Sequence, residues 1–155
     1  MVLRCLKAAI IFTLVALASS CSPSADGLFS RPKTYDVRDV AVLAGGRVST
    51  RIIAGIDGRL SAAIASTSAP PDAPRVILTV RIDRFEADIA PTSRLSRAVV
   101  TVTAVSVENG APIATGTFTV VSRTDDPQFE EESLAEEISG RVRSLFSLSA
   151  PRLRR

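Results

Sequence analysis

The sequence contains no histidine and no tryptophan, and it has only two cysteines and one tyrosine in 155 residues. Without histidine the chain cannot build a Ser-His-Asp triad or a Cys–His pair, and zinc sites that combine these two residues are excluded. The glycine-containing stretch AGGRVST at 44–50 has neither the spacing nor the lysine of a phosphate-binding loop. We therefore expect no enzymatic activity, no metal site and no cofactor.

The N-terminus lacks an apolar run of the roughly 20 residues that a bilayer-spanning helix needs. It opens with Arg4 and Lys7 and no acid, and residues 8–20 follow without a charge and end in small side chains. This order is typical of a secretory signal peptide, which we predict over residues 1–20. Its removal would take Cys5 away and leave one cysteine, which cannot form an intramolecular disulfide.

The remaining cysteine follows the sequence ASS. Residues Ala18 to Cys21, with Leu17 before them, resemble the lipobox of bacterial lipoproteins. In that family a peptidase cuts before the cysteine, which carries lipid on its sulfur and, in most members, acyl on its new amino group. The resemblance implies that lipid on Cys21 attaches the chain to a membrane. An ordinary signal-peptidase cut near Ser19 or Ser20, leaving a free thiol, is the alternative.

The stretch SPSADGLFSRPK at 22–33 is rich in Ser, Pro and Gly and has no periodicity. Residues 21–33 are therefore predicted to form the lipidated cysteine and a flexible tether. In lipoproteins of enteric bacteria an aspartate directly after the cysteine favours the inner membrane. Ser22 stands at this place, so the resemblance implies the periplasmic face of the outer membrane. Residues 150–155 form a short basic tail, interpreted as frayed or as a contact for anionic lipid head groups.

The net charge of +3 and the pI of about 9.4 belong to the whole chain. Loss of Arg4 and Lys7 with the signal peptide leaves a net charge of about +1. The basic pI is therefore no indication of nucleic-acid binding, and we expect no nucleic-acid partner.

Residues 34–149 are predicted to form a single domain. A strand is expected over 34–44, with its alternation slipping near Asp39. A helix is expected from Val48 to Ile64, because its apolar residues recur at helical spacing. The run RVILTVRI then predicts a second strand, and a change of phase at Asp83–Arg84 indicates a β-bulge.

The segment RAVVTVTAVSVENGAPIATGTFTVVS predicts a hairpin, since Asn109–Gly110 is a typical two-residue type I′ turn. That register pairs Val99 with Val120 on a core face. The opposite face would then carry a row of threonines beside two valines, which we interpret as a possible partner face; its residues are Thr115, Thr117, Thr119, Val100 and Val102.

The last predicted element is a helix capped by Asp126, with Pro127 in its first turn and Leu134, Ile138 and Val142 on its apolar side. The predicted order is thus β-α-β-β-β-α. It favours an α+β two-layer sandwich, with a mainly antiparallel four-stranded sheet and both helices on one face. Together with the lipobox and the size, this order resembles small bacterial envelope lipoproteins, such as the LptE-type lipoprotein and uncharacterised lipoprotein domains.

These features favour a non-enzymatic lipoprotein of the bacterial envelope, an assembly or transport accessory that acts through a protein partner. The alternative is a periplasmic lipoprotein that binds a small ligand or lipid in a cavity between sheet and helices. Carboxylate pairs such as Asp83 with Glu86 could in principle support glycosidase chemistry, but they are better explained as the edge of a strand.

Overall fold

A computed structural model of the protein describes residues 34–45, 47–89 and 94–150. The predicted signal peptide, Cys21 and the predicted tether lie outside these residues, as do residues 151–155 of the predicted tail. The elements follow the order β-α-β-β-β-α, with a short 3-10 turn before the last helix. They are β1 (Asp36–Ala44), α1 (Thr50–Ser66), β2 (Arg75–Ile89), β3 (Arg94–Ser106), β4 (Pro112–Thr124), the 3-10 turn (Pro127–Phe129) and α2 (Glu130–Phe146).

The four strands form one sheet in the order β1-β2-β3-β4. The β1–β2 pair is parallel and connected through α1, while β2–β3 and β3–β4 are antiparallel. A parallel pair needs a crossover connection, which the helix between the two strands supplies. The predicted α+β class, its element order and its mainly antiparallel sheet are confirmed.

Side chains cap the start of α1 and the start of the 3-10 turn that precedes α2. Ser49 caps α1 by accepting a hydrogen bond from the Arg51 N–H at 3.1 Å, and Asp126 caps the 3-10 turn by accepting one from the Gln128 N–H at 2.9 Å. Such side chains satisfy backbone donors that have no partner within the helix. The C-terminal ends of the two helices meet where the Thr67 hydroxyl accepts from the Ser149 N–H at 2.8 Å.

Two local irregularities reset the alternation of the strands. The β1–β2 register shifts between Val37 and Asp39, so that Val37 and Val40 both point into the core. The β2–β3 register shifts between Ile82 and Arg84, which confirms the predicted bulge at Asp83–Arg84. Without each shift, the apolar residues that follow it would point to the face of the sheet that the helices do not cover.

The core lies between one face of the sheet and the two helices. The helices contribute stripes at helical spacing, and each strand contributes alternate residues. The largest side chains that are fully buried are Phe146, Ile52, Ile56, Leu60, Leu78, Leu134, Ile138, Val76, Val80, Val100, Val102 and Val142.

The predicted register of the β3–β4 hairpin is wrong by one residue. The strands pair Val99 with Thr119 and Val100 with Phe118, whereas the prediction paired Val99 with Val120. Ala98, Val100, Val102 and Ala104 therefore face the helices and are fully buried. The prediction places the residues of β4, such as Val120, on the correct face. It places the residues of β3 on the wrong face, because those predicted to face the core lie on the uncovered side.

The error comes from the turn. A type I′ turn needs positive φ at both central residues, but among the described residues only Gly110 and Ser147 have positive φ. The connection spans four residues, 107–110, closed by hydrogen bonds from the Ser106 N–H to the Ala111 carbonyl and from the Gly110 N–H to the Ser106 carbonyl, each 2.9 Å. The Asn109 side chain accepts from the Ala111 N–H at 3.0 Å, which favours this longer loop.

Gly110 has a φ of 69°. A β-branched side chain is strained in this region, so Gly110→Val should lower the free energy of unfolding by about 1–3 kcal/mol. Urea denaturation measures this loss. Ala111→Val, at an exposed neighbouring position, should cost much less, and equal small losses in both variants would contradict the assigned turn.

An ion-pair network joins the two helices on their outer surface. Arg59 of α1 donates to Glu132 at 2.9 Å and to Glu136 at 2.8 Å, and Arg143 donates to Glu136 at 2.7 Å. The hydrogen bond from Arg143 is the largest cause that lowers the pKa of Glu136. Partial burial opposes it, and Arg59 adds to the lowering.

Since the pKa of Glu136 is lowered in the folded state, its charged form stabilises the fold above the usual glutamate range, about pH 4.3, and this contribution is lost as the pH falls through the lowered pKa. We expect Glu136→Gln to unfold at lower urea than the parent at pH 7. The gap between the two should shrink strongly at pH 3.

Glu137→Gln is the matched control, because Glu137 is exposed and has no hydrogen-bond or ion-pair partner among the described residues. It should change the urea midpoint little at either pH. A gap between parent and Glu136→Gln that is the same at both pH values would rule out the network as its source.

Candidate interaction surface

The sheet has one face that the helices do not cover, and we call it the open face. The alternation of the strands and the observed registers place one set of residues there, none of which belongs to the buried core. This set is Asp39, Ala41, Leu43, Ile77, Thr79, Arg81, Arg84, Glu86, Leu95, Arg97, Val99, Thr101, Thr103, Val105, Thr115, Thr117, Thr119, Val121 and Arg123.

Threonines form the centre of the open face, in two rows across the strands. Thr79, Thr103 and Thr115 are neighbours in one row, and the Thr115 hydroxyl donates to that of Thr103 at 3.4 Å. In the next row the hydroxyls of Thr101 and Thr117 lie 2.9 Å apart. β-branched residues pack well on a pleated surface, and their hydroxyls pair across strands.

The bulge residue Asp83 contacts both a threonine of these rows and the charged side chain of Arg81. Its carboxylate accepts from the Thr101 hydroxyl at 2.5 Å and lies 2.7 Å from Arg81 Nε. A threonine hydroxyl has one proton. Because Thr101 donates that proton to Asp83, Thr117 must be the donor in its bond to Thr101. The bulge therefore fixes hydroxyl orientations as far as β4.

Apolar side chains flank the threonines on this face. Leu43 is 50% exposed, Ile77 39% and Val121 49%. They lie on β1, β2 and β4, in different cross-strand rows with threonines and arginines between them. The open face thus combines polar and apolar contacts.

The open face contains part of the set predicted from the sequence. Thr115, Thr117 and Thr119 lie on it, but Val100 and Val102 do not; they are fully buried under the helices. The one-residue shift of register exchanges them for Val99, Thr101 and Thr103 as the neighbours on β3. Whether the threonines contact a partner stays a prediction.

No helix among the described residues is both long enough and apolar enough to cross a membrane. The clefts at the surface include one near the end of β1, where Gly45, Arg47 and Val48 face residues 82–85 of β2, Arg84 among them. Another lies on the open face beyond the threonines, between Arg84 and Arg97.

No protein-family model matches this chain, and no curated protein matches its sequence. Solved structures do match its fold. One is the PelC dodecamer from Paraburkholderia phytofirmans, with 16% identity and a TM-score of 0.50 over 76% of this chain and 93% of that chain. Another is a DUF330 protein from Xanthomonas campestris, with 15% identity and a TM-score of 0.52 over 76% and 85%.

A minor lipoprotein from Acinetobacter baumannii also matches, with 15% identity and a TM-score of 0.38 over 75% of this chain and 91% of that chain. At these identities the likeness concerns the fold alone. The chain thus shares its α+β architecture with the PelC and DUF330 structures.

The two faces of the sheet should respond differently to the same charged substitution. Thr117→Arg, on the open face, should change the free energy of unfolding by less than about 1 kcal/mol. Val102→Arg would bury a charge without a partner and should cost about 3–5 kcal/mol or prevent folding. Thermal unfolding followed by circular dichroism compares the two, and a large loss in Thr117→Arg would show that this face is covered in the folded protein.

Proposed function

We propose that this protein is a non-enzymatic lipoprotein of the bacterial cell envelope, anchored through Cys21 and acting as an assembly or transport accessory through its open face. The observation that carries the proposal is the sequence from Ala18 to Cys21, placed after a basic start and a short apolar run. The uncovered sheet face, with exposed Leu43, Ile77 and Val121 beside its threonines, supports a role through protein contacts.

Lipid on Cys21 would supply the attachment that no described helix provides. Each buried methylene of an acyl chain contributes about 0.8 kcal/mol. A single chain binds only weakly and reversibly, whereas two or three chains hold a protein stably. An acylated amino group and a lipidated sulfur on the same cysteine would thus suffice. Ser22 after the cysteine supports the periplasmic face of the outer membrane as the location.

The chemistry of the open face supports a contact role rather than catalysis. Asp83 is held by Arg81 and Thr101, so its carboxylate serves to fix neighbouring side chains. The alternative of a ligand cavity between sheet and helices receives no such support, since the facing side chains of both layers, including Leu60, Val80 and Val100, are fully buried against one another.

Attachment is tested by Cys21→Ser in the full chain expressed in a Gram-negative bacterium. The variant should lose labelling by radioactive palmitate and leave the membrane fraction, because it has no sulfur to carry lipid. Cys5→Ser is the matched control, since this cysteine lies inside the predicted signal peptide and should leave labelling unchanged. Labelling that persists in Cys21→Ser would refute lipidation at this residue.

A further inference from the structure

A basic cleft of about 370 Å³ lies on the open face, beyond the threonine rows. It is lined by Arg84, Glu86, Arg97, Val99, Thr119 and Val121. The side chains of two arginines and one glutamate thus border a strip that consists of two valines and one threonine. The residues come from three strands.

The bulge and the registers create this arrangement. After the shift between Ile82 and Arg84, Arg84 pairs with Val99, and Glu86 pairs with Arg97. On the other side of β3, Val99 pairs with Thr119 and Arg97 with Val121. Without the extra residue, Arg84 would point to the opposite face of β2, so the bulge is what turns it towards the cleft.

Neither arginine is neutralised within the part of the chain that the structure describes. Arg81 is paired with Asp83 at 2.7 Å, and Arg59 and Arg143 are paired with glutamates. Arg84 and Arg97, by contrast, have no ion pair or hydrogen bond to the described side chains. Glu86 lines the same cleft and is in register with Arg97, but no ion pair joins these two side chains. Arg123 lies one step further along the same face, on β4, and is also unpaired.

The cleft lies far from the end at which the chain comes from its predicted anchor. The described chain begins beside the start of β1, where Asp36 pairs with Arg75. β1 ends opposite Ile82, so Arg84 lies past its end, about 30 Å from Arg75 at about 3.3 Å per residue. The cleft thus lies at the end of the sheet opposite to the start of the described chain.

We propose that the cleft binds an acidic, extended segment of a partner protein, an inference that rests on the proposed function and names the chemistry of the partner. A guanidinium forms paired hydrogen bonds with a carboxylate, and arginine is weakly hydrated for a cation. Val99 and Val121 lie on neighbouring strands beside the arginines and offer contacts to apolar side chains. In an extended segment every second side chain faces the cleft, so acidic and apolar residues that alternate among those positions would meet the arginines and the valines respectively.

The test uses the full-length lipidated protein in an uncharged detergent. The probe is a fluorescein-labelled decapeptide that has glutamate and valine in turn at every second position and serine between them, so that both lie on one face of the extended chain. Fluorescence anisotropy measures its binding. The variant Arg84→Glu/Arg97→Glu should weaken binding at least about tenfold, and added salt should weaken binding to the parent. Arg141→Glu is the matched control, because Arg141 is exposed on α2 and is unpaired among the described residues; it should bind like the parent.

Several results would overturn the proposal. They are no binding of the peptide to the parent, equal binding by the double variant and the control, or binding of phosphatidylglycerol vesicles, without the peptide, through the same arginines. Self-association of the parent that the double variant abolishes would assign the cleft to a second copy of this chain. The milder Arg84→Gln/Arg97→Gln variant with an unchanged melting curve shows that any loss is not due to misfolding.

A failure of the proposed peptide binding can be distinguished from a failure of the proposed lipid anchoring. Loss of peptide binding with palmitate labelling intact concerns the cleft alone. The Cys21→Ser variant, in contrast, should be absent from the membrane fraction and should still bind the peptide. A chain that fails both tests would have neither property.

Discussion

Two helices cover one face of a four-stranded sheet, and the chain has no further described layer for the other. Each helix presents a stripe of apolar side chains that must be buried. The sheet packs five fully buried residues under these stripes: Val76, Leu78, Val80, Val100 and Val102. Because side chains alternate along a strand, burying these residues forces their neighbours onto the opposite face. The character of the open face therefore follows from the packing of the core.

The bulge in β2 connects the core to the surface. It keeps Ile82 in the core while it brings Asp83 and Arg84 onto the open face. Asp83 orders the hydroxyls of Thr101 and Thr117, and Arg84 borders the basic cleft. The bulge thus lies between the threonine rows at the centre of the open face and the cleft that Arg84 and Arg97 border.

The sequence predicts the features that depend on local periodicity. The spacing of Ile52, Ile56 and Leu60 predicts α1, and the change of phase at Asp83 predicts the bulge; both are observed. The register of β3 against β4 depends on the length of one loop, and one residue of error exchanges the two faces. For this reason the predicted register places both Val102 and Thr117 on the open face, and only Thr117 lies there. The cleft was not predicted, because Arg84 and Arg97 meet only through the pairing of β2 with β3.

The central claim is that the open face, and not the outer surface of the helices, makes the functional contact in the envelope. Site-specific photocrosslinking in living cells tests it, with a benzophenone amino acid placed at Thr117 on the open face or at Ser61, which is exposed on α1. The account predicts a discrete adduct with an envelope protein from position 117 and none from position 61. An adduct that forms from position 61 alone would contradict it.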